Sequence, residues 1–385
     1  MSKDTAVKSY NVVGKVEDIT DFVTSIDPDQ TLLTNRFGKT SVTSTEHGWL
    51  CDSLRPAMEN ATLEAVDFDT KEAVARKRQS NYTQQFVHGY SVTDITQAIK
   101  KYGVRDEIGY QMVKATKEIG RDLEYAIVAN KTKVLGDNAN AGKMGGIPYF
   151  LQQFQDVTVA AGTGVITLNS HKRITGDAVV LHSKSGAIDS KYAENTLYFV
   201  KVIDANTFTI HATAEAAMAG TGAIKPSAAV TNLQVSFNNA LDASKVSGAA
   251  AGEFTFDVVN DAMQAAWKRG GNVNIAVMSG KNKRKASGFT ANTVKNRNQS
   301  ETKLVDVVSV LETDFGMIDL VTHRLYEDDV VDLLDLQYWK LGYLIPFHVE
   351  DVPRKGTYKE KVITGVATLE CTAPDANARI YNLSK

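Results

Sequence analysis

The sequence predicts an α+β fold that carries an inserted all-β domain. Three observations lead to this prediction: one long amphipathic helix between residues 104 and 129, a β-rich stretch at 156–236, and alternating strand patterns towards the carboxyl end. Helical and strand patterns that are segregated along a chain are typical of α+β proteins. We expect the β-rich stretch to be an insertion because helical periodicity resumes at Phe254.

Composition excludes several function classes. The chain has 385 residues, which predicts two or three substructures rather than one compact domain. Lysine and arginine (43) nearly balance aspartate and glutamate (45), so a dedicated nucleic-acid-binding protein is excluded and any DNA contact should be non-specific. Cys51 and Cys371 are too few for a disulfide framework or a Cys-x-x-Cys metal site, which fits a reducing compartment. We find no signal peptide and no stretch of roughly 18 apolar residues, and we expect no membrane partner.

The first 95 residues are predicted to form an arm followed by an exposed excursion. Residues 1–35 are polar and cannot form a core alone. Residues 36–95 mix short alternating segments, such as 81–87, with the charged run 71–78, which favours a long two-stranded loop. A loop of this length with little core of its own is usually functional, and we expect it to contact a partner.

The strongest helical pattern lies between Val104 and Ala129. Its apolar residues recur at steps of three and four and are Val104, Ile108, Met112, Ala115, Ile119, Leu123, Ala126 and Ile127. The opposite face carries Arg105, Lys114, Lys117, Arg121 and Glu124, and we expect this face to be in water. A helix of about 26 residues is roughly 39 Å long at 1.5 Å per residue, which predicts a spine.

Short strands are predicted within the β-rich stretch, at 165–168, 178–181, 196–203 and 207–211. The last two flank Asp204-Ala205-Asn206, a three-residue hairpin connection whose Asn206 can take the left-handed conformation. These strands suffice for a small sandwich or barrel.

The remaining chain returns to a mixed pattern. A helix is predicted from Phe254 to Trp267, ending at Gly270-Gly271, since glycine suits a helix carboxyl cap. The later predicted elements are a strand at 275–278, a basic polar stretch to Lys303, a hairpin of 304–313 with 317–322, and a long strand at 359–371.

Two motifs that suggest nucleotide chemistry are discounted on their context. Gly38-Lys39-Thr40 resembles the end of a phosphate-binding loop, but Leu33 stands where that motif needs a glycine. Asp314-Phe315-Gly316 spells the magnesium triplet of kinases, yet the other kinase motifs are absent from the sequence, so a hairpin turn is the better interpretation.

Metal and catalytic motifs are discounted in the same way. The run at 327–329 with Asp332 and Asp335 lacks the glycine and terminal glutamate of a calcium loop, and we expect a strand with charged ends there. The seven histidines show neither the HExxH motif nor i, i+4 pairs. We therefore predict no catalytic residue, no cofactor and no metal site.

One stretch concentrates positive charge, and it contains Lys281, Lys283, Arg284 and Lys285, followed by Lys295 and Arg297. Three interpretations stay open. The simplest is a solvated loop, and the functional alternatives are a subunit contact or a lining that touches DNA phosphates without reading sequence.

Many segments, taken in order, resemble the major head proteins of tailed bacteriophages, a family with the HK97-like fold. The resembling residues are Gly14–Asp21, Ile26–Pro28, Trp49, Asp52–Leu54, Asn81–Phe86, the helix at 104–129, Gly145-Gly146, Asn260–Trp267, Gly270-Gly271, Asp314–Gly316, Arg324, Asp329-Val330, Asp335, Tyr338-Trp339 and Leu344–Phe347. Their common order over nearly all of the chain outside 156–236 carries the resemblance. The inserted stretch, with Gly176-Asp177-Ala178-Val179, resembles small β modules that recur in phage structural proteins.

The resemblance implies a division of the chain. The implied parts are an N-terminal arm (1–35), an extended loop and its base (36–95), the spine helix of the peripheral domain (96–140), the start of the axial domain (141–155), the inserted β domain (156–236), the axial domain (237–325), peripheral strands and connections (326–372) and a C-terminal return to the axial domain (373–385).

The resemblance also implies a function, namely a non-enzymatic major capsid protein that self-assembles as hexamers and pentamers into an icosahedral or prolate head around double-stranded DNA. The implied partners are other copies of the chain, a portal protein, a separate scaffolding protein, a decoration protein, and packaged DNA through non-specific contact. The implied location is the virion capsid, after assembly in the cytoplasm of the bacterial host. Two alternatives stay open: an encapsulin-type compartment shell, and a receptor- or carbohydrate-binding virion component that uses the β insertion.

Overall fold

The computed structural model describes residues 31–52, 61, 64, 76–101, 104, 106–171, 173–184, 188–245, 252–289 and 310–384. Outside these residues lie arm residues 1–30, most of loop residues 53–75, Arg105, Lys295, Arg297 and hairpin residues 304–309. The described residues divide into a smaller unit, which lies within Val87–Arg121 and Phe347–Thr364, and a larger unit, which lies within Gln30–Phe86, Asp122–Pro346 and Gly365–Lys385.

The described residues form helices and strands in mixed order. The helices are α1 (Leu32–Arg36), α2 (Asp94–Ala98), α3 (Glu107–Ala129), α4 (Ile147–Leu151), α5 (Ala214–Ala219), α6 (Phe256–Lys268) and α7 (Gly280–Gly288). The strands are β1 (Gly38–Ser41), β2 (Glu46–Cys51), β3 (Lys77–Tyr82), β4 (Gln84–Thr93), β5 (Gln155–Val159), β6 (Ile166–Thr167), β7 (Ala178–Ser183), β8 (Leu197–Val202), β9 (Thr207–His211), β10 (Val230–Ser236), β11 (Asn239–Asp242), β12 (Ile275–Met278), β13 (Val310–Thr313), β14 (Gly316–Thr322), β15 (Val331–Leu334), β16 (Trp339–Asp351), β17 (Tyr358–Cys371) and β18 (Ala378–Tyr381). None of the described helices is long and apolar enough to span a membrane.

The predicted spine helix is present as α3, and it starts three residues later than the periodicity indicates. Asp106 lies before the first helical residue, and its carboxylate accepts hydrogen bonds from the backbone N–H groups of Ile108 and Gly109. A carboxylate in this position caps the free N–H groups of the first turn, which fixes the start of the helix. The predicted buried stripe is confirmed from Ala115 onward, whereas Met112 is exposed.

A six-stranded sheet forms the centre of the larger unit, in the order β11-β18-β15-β12-β14-β13. Strand β12 pairs parallel with β14 and antiparallel with β15. One face of this sheet packs against the apolar stripe of α6 in a shared core, which includes Val258, Ala262, Met278, Ile318 and Leu333. Each buried aliphatic side chain of this size contributes about 1.5–3 kcal/mol, so this core holds α6 on the sheet.

The helix predicted from Phe254 is present as α6, with its start shifted to Phe256. The hydroxyl of Thr255 accepts a hydrogen bond from the backbone N–H of Val258 and caps the first turn. Gly270 follows the helix with a φ of +83°, a left-handed conformation that glycine adopts without strain. The predicted stop at this glycine is therefore confirmed.

Residues 155–236 contain a closed barrel with the strand order β10-β5-β6-β9-β8-β7. Its interior is apolar and is filled by Val157, Ile166, Leu181, Phe208, Ile210 and Leu233, among others. Strands β5 and β10 are antiparallel neighbours, and Gln155 is the ladder partner of Val235. The chain therefore enters and leaves the barrel at adjacent positions.

The predicted hairpin inside the barrel is confirmed. Strands β8 and β9 pair in register from Val202 opposite Phe208. Asn206 does not use the left-handed conformation that is open to it, since its φ is not positive. The Asp204 carboxylate closes the turn instead, because it accepts a hydrogen bond from the backbone N–H of Asn206 at 2.7 Å.

Two further sheets complete the described part of the chain. The first has four strands in the order β1-β16-β17-β4, and β1 runs parallel to β16 from Gly38 opposite Lys340. The second is the two-stranded sheet β2-β3, which is the described base of the predicted extended loop. The hairpin turn predicted at Asp314-Phe315-Gly316 joins β13 to β14, and the long strand predicted at 359–371 is β17.

Candidate functional site

The four predicted basic residues lie on helix α7, which follows β12 directly. The hydroxyl of Ser279 accepts a hydrogen bond from the backbone N–H of Asn282 and caps the helix. The interpretation of 281–285 as a solvated loop is therefore wrong. The helix was not predicted because its charged residues hide an apolar periodicity, so that only the capping residue Ser279 marked it.

The structure brings the four basic residues onto one helix but uses two of them within the subunit. Lys281 donates from Nζ to the backbone oxygen of Ser384 at 3.3 Å. Lys283 donates from Nζ to the backbone oxygen of Leu320 at 3.0 Å, and burial lowers the pKa of its ammonium group. These two lysines fix α7 to the rest of the larger unit.

Arg284 and Lys285 differ from the two lysines before them. Arg284 is exposed and Lys285 is partly exposed. Within the described residues, the structure gives neither side chain a hydrogen bond or an ion pair. They are therefore the two positive charges of α7 that remain available for another molecule.

A second site lies on α3, where the carboxylate of Glu124 is fully buried. It accepts hydrogen bonds from the backbone N–H groups of Leu33 at 2.7 Å and Thr34 at 3.0 Å, from the Thr34 hydroxyl, and from Nε2 of His323 at 3.0 Å. We call this group of four residues the Glu124 clasp. It joins α1, α3 and the turn after β14.

The clasp overturns the prediction that Glu124 lies on a solvated face. Burial alone raises the pKa of the Glu124 carboxyl, but the hydrogen bonds from His323, from Thr34 and from the backbone N–H groups outweigh it and lower the pKa. The carboxylate also replaces the missing cap of α1, because Thr31 gives that helix no side-chain hydrogen bond. Helical periodicity could not reveal this role, since the donors come from distant segments.

The junction between the barrel and the central sheet is also polar. Asn195 of the barrel donates to the backbone oxygen of Asp242 at 2.8 Å and accepts from its N–H at 2.9 Å. Nδ1 of His182 is hydrogen-bonded to the Tyr381 hydroxyl at 2.9 Å. Burial lowers the pKa of His182 to about 4, although the charge of Asp242 opposes this shift. The junction therefore contains a histidine that is neutral in the folded chain.

The predicted strand with charged ends is present as β15, but its aspartates are buried. The Tyr326 hydroxyl donates to Asp332 at 2.8 Å, and Arg379 lies opposite on β18 with its Nε 3.5 Å from the same carboxyl group. Burial raises the pKa of Asp332, and the charge of Arg379 partly offsets this. Asp335 is buried as well and accepts from the backbone N–H of Asn272 at 3.0 Å. The predicted strand is confirmed, and the burial of Asp332 within it and of Asp335 directly after it is a finding that the sequence did not indicate.

Sequence analysis missed one further buried polar residue, Asn377. Its Oδ1 accepts hydrogen bonds from the backbone N–H of Asp335 at 2.8 Å and from the Trp339 indole at 2.9 Å. Its amide donates to the backbone oxygen of Ala373 at 2.9 Å. All three partners are buried or partly buried, so Asn377 ties the carboxyl-terminal segment to β16. No local pattern around Asn377 marks this role.

The described part of the smaller unit carries several exposed apolar side chains. They are Val87, Ile95, Ile99, Tyr110, Met112, Val113 and Val349. Exposed apolar surface, where it is contiguous, marks contacts with other proteins. Among the described residues, no three His, Cys, Asp or Glu side chains are grouped as metal ligands. What the described sites offer is therefore structural anchoring and surface contact.

Comparisons with known proteins agree with this arrangement. A family model described as the SU10 major capsid protein matches residues 3–384. The major capsid protein of Escherichia phage Phieco32 is 30% identical over 140 residues, and the match spans 36% of this chain and 40% of that relative's own length.

Solved structures share the fold at low sequence identity. The capsid asymmetric unit of cyanophage A-1(L) superposes with a TM-score of 0.59 at 11% identity, covering 98% of this chain and 99% of that one. The capsid of an empty GTA particle, computed with C5 symmetry, superposes with a TM-score of 0.53 at 11% identity and covers 100% of both chains. At these identities the likeness concerns the fold.

Proposed function

The chain belongs to the family of SU10 major capsid proteins, and from this membership we propose that its copies pack as hexamers and pentamers in the closed head of a tailed bacteriophage, around double-stranded DNA. It has the HK97-like fold of phage capsid proteins and serves as a structural component of the virion. The relatives found are capsid proteins, which favours this function over an encapsulin-type compartment and over a receptor-binding component.

One observation in the structure carries the proposal, namely the exposed apolar surface of the smaller unit. Val87, Ile95 and Val113 are more than half exposed, and a folded monomer gains nothing from apolar side chains in water. Interfaces in permanent assemblies bury roughly 2,000–5,000 Å² and are apolar at their centre. We infer that neighbouring copies cover these exposed side chains in the shell.

The DNA contact in this proposal is sequence-blind. The formal net charge of the chain is −2, so the shell as a whole does not attract DNA strongly. Of the four predicted basic residues, Arg284 and Lys285 are the two whose side chains form no hydrogen bond within the described residues. These two side chains could serve either a contact with DNA phosphates or a contact with a neighbouring subunit.

The proposal extends to partners, location and chemistry. A portal protein, a scaffolding protein and a decoration protein are the further partners we propose, and assembly takes place in the host cytoplasm. We also propose that the chain is not an enzyme, because the family to which it belongs is a family of structural proteins.

The experiment that tests the function is electron microscopy of the purified protein in negative stain, combined with nuclease treatment of particles from infected cells. Closed shells that protect DNA are the expected result. Particles that hold proteins but no nucleic acid would instead assign a compartment shell, and a protein that binds cells without forming particles would assign a receptor-binding component.

A further inference from the structure

The hairpin of β13 and β14 ends in a tip that combines apolar and acidic side chains. Met317 is 69% exposed, and Trp267 at the end of α6 is 59% exposed and packs against Phe315 in the turn at 5.8 Å between ring centroids. Glu312 and Asp314 are exposed on the same hairpin. We call these five residues the acidic knob.

The strand pattern places apolar groups on both faces of this knob. Leu311 and Ile318 point into the core that contains α6. Met317 precedes Ile318 on β14, so its side chain points to the opposite face. The knob therefore exposes Met317 on one face and Trp267 with Phe315 at its other side. Tryptophan and methionine are enriched at protein interfaces, and tryptophan is common among the residues that dominate binding energy.

The same chain carries a surface of opposite charge, the outer side of α7 with Arg284 and Lys285. The two lysines before them hold α7 in place, because Lys281 and Lys283 donate to backbone oxygens of Ser384 and Leu320. The basic side chains are thus presented by a fixed helix rather than by a loop. Within one copy, the structure gives no ion pair between α7 and the knob among the described residues.

Two different and complementary surfaces on one chain favour a head-to-tail contact, which closes into a ring when the rotation between copies is suitable. We propose that the acidic knob of one copy docks against α7 of the next copy in the ring, with Glu312 and Asp314 facing Arg284 and Lys285 and with Trp267 and Met317 covering the apolar stems. The inference rests on the proposed function, since it needs copies that form rings.

This contact assigns Arg284 and Lys285 to a subunit seam rather than to packaged DNA. Charge pairs at the rim of an interface mainly set partner choice and register, while the apolar side chains supply most of the affinity. The two parts of the contact can therefore be tested separately.

The test of the charges uses reversal and rescue in the full-length chain. Glu312→Lys with Asp314→Lys, and separately Arg284→Glu with Lys285→Glu, should each lower the sedimenting shell fraction at least tenfold while circular dichroism shows a folded subunit. The four substitutions together should restore shells. Assembly at the wild-type level in either double variant, or no restoration in the fourfold variant, would overturn the docking.

The DNA alternative gives a different result in the same samples. If Arg284 and Lys285 touch DNA, their reversal leaves shell yield intact and lowers the packaged DNA, and the knob substitutions rescue nothing.

The apolar part of the contact is tested by Met317→Ser, which should reduce assembly. The control is Ile203→Ser, at a barrel turn where Ile203 is 55% exposed, and it should not reduce assembly. Equal behaviour of the two serine variants would contradict the knob. Absence of shells from the wild-type protein would instead contradict the proposed function.

Discussion

His323 donates its Nε2 proton to the buried carboxylate of Glu124 over 3.0 Å. The assignment of the proton follows from the other ring nitrogen, because Nδ1 of His323 accepts a hydrogen bond from the backbone N–H of Leu325 at 3.2 Å. A histidine with one accepting nitrogen is neutral, so the negative charge of Glu124 is balanced by four hydrogen-bond donors rather than by a cation.

We predict that Glu124→Ala lowers the free energy of unfolding by about 3–5 kcal/mol, because each buried hydrogen-bond donor left without an acceptor costs about 1–3 kcal/mol. The substitution leaves the N–H groups of Leu33 and Thr34 and the ring of His323 without an acceptor. Urea unfolding of the unassembled subunit, followed by circular dichroism, measures the effect. Glu118→Ala is the matched control on the same helix, because Glu118 is partly exposed and its ion pairs should contribute less than about 1 kcal/mol. Equal losses in the two variants would show that the clasp contributes no special stability.

The clasp should also make stability depend on acid. Because hydrogen bonds lower the pKa of Glu124 in the folded chain, its contribution is fully present above the ordinary value of 4.5 and is lost as the pH falls through the lower folded pKa. The wild-type subunit should therefore lose stability below about pH 4.5 more steeply than Glu124→Gln, which cannot be protonated. Urea unfolding between pH 5 and pH 3 compares the two slopes, and parallel curves would contradict the assignment.

The lowered pKa of His182 predicts a second and separate dependence of folding stability on pH. Its pKa falls from 6.5 in the unfolded chain to about 4 in the folded one, so the unfolded chain binds more protons between these values. Stability is then fully present above pH 6.5 and decreases as the pH falls towards 4, by roughly 3 kcal/mol in total. His182→Gln should remove this loss between pH 6.5 and pH 5, a range in which Glu124 stays ionised.

Removal of the barrel should leave a folded subunit that assembles. Gln155 and Val235 are ladder partners, so a short Gly-Ser linker can replace residues 156–236 without moving the flanking chain. We expect a lower stability, because Tyr381 loses His182 and Asp242 loses Asn195. Circular dichroism, sedimentation and a particle reconstruction test the prediction, and the missing density should lie on the outer surface. Failure to assemble with a folded subunit would show that the barrel takes part in shell contacts.

The extended loop should be needed for shells but not for folding. We predict that replacing residues 53–75 by a short linker yields a folded subunit that forms no closed particles, because the loop supplies interface rather than core. The replacement has to stop before Asn81, whose buried amide donates to the backbone oxygens of Gly145 and Leu369. Asn81→Ala is the contrasting variant and should reduce stability itself. Normal particles from the loop replacement, or loss of its folded signal, would contradict the prediction.

Local patterns were sufficient where local physics decides the structure. Period-2 alternation and turn residues gave β8, β9 and β17, and spacing of three and four gave α3 and α6, because each burial pattern is set within one element. The same logic found the stop at Gly270. It failed on α7, where charged residues dominate the helix and only Ser279 marks its start.

Long-range pairing could not be predicted from the sequence. Glu124 was assigned to water because its neighbours on α3 are charged, whereas its donors Leu33 and His323 lie 91 and 199 residues away. The burial of Asp332 could not be predicted either, because its partner Arg379 comes from another strand of the sheet. A buried carboxylate can be recognised only when the segments that bring its hydrogen-bond donors are known.

The sequence separation between the residues of the clasp also determines when the clasp can form during synthesis. A ribosome that adds 5–20 residues per second needs about 10–40 s to pass from Glu124 to His323. During that interval α1 and α3 have been made, but the carboxylate between them lacks one of its donors. The clasp can close only after the ribosome has added His323, 199 residues after its acceptor Glu124. The fixing of α1 by the complete clasp therefore depends on a residue that is made long after α1 itself.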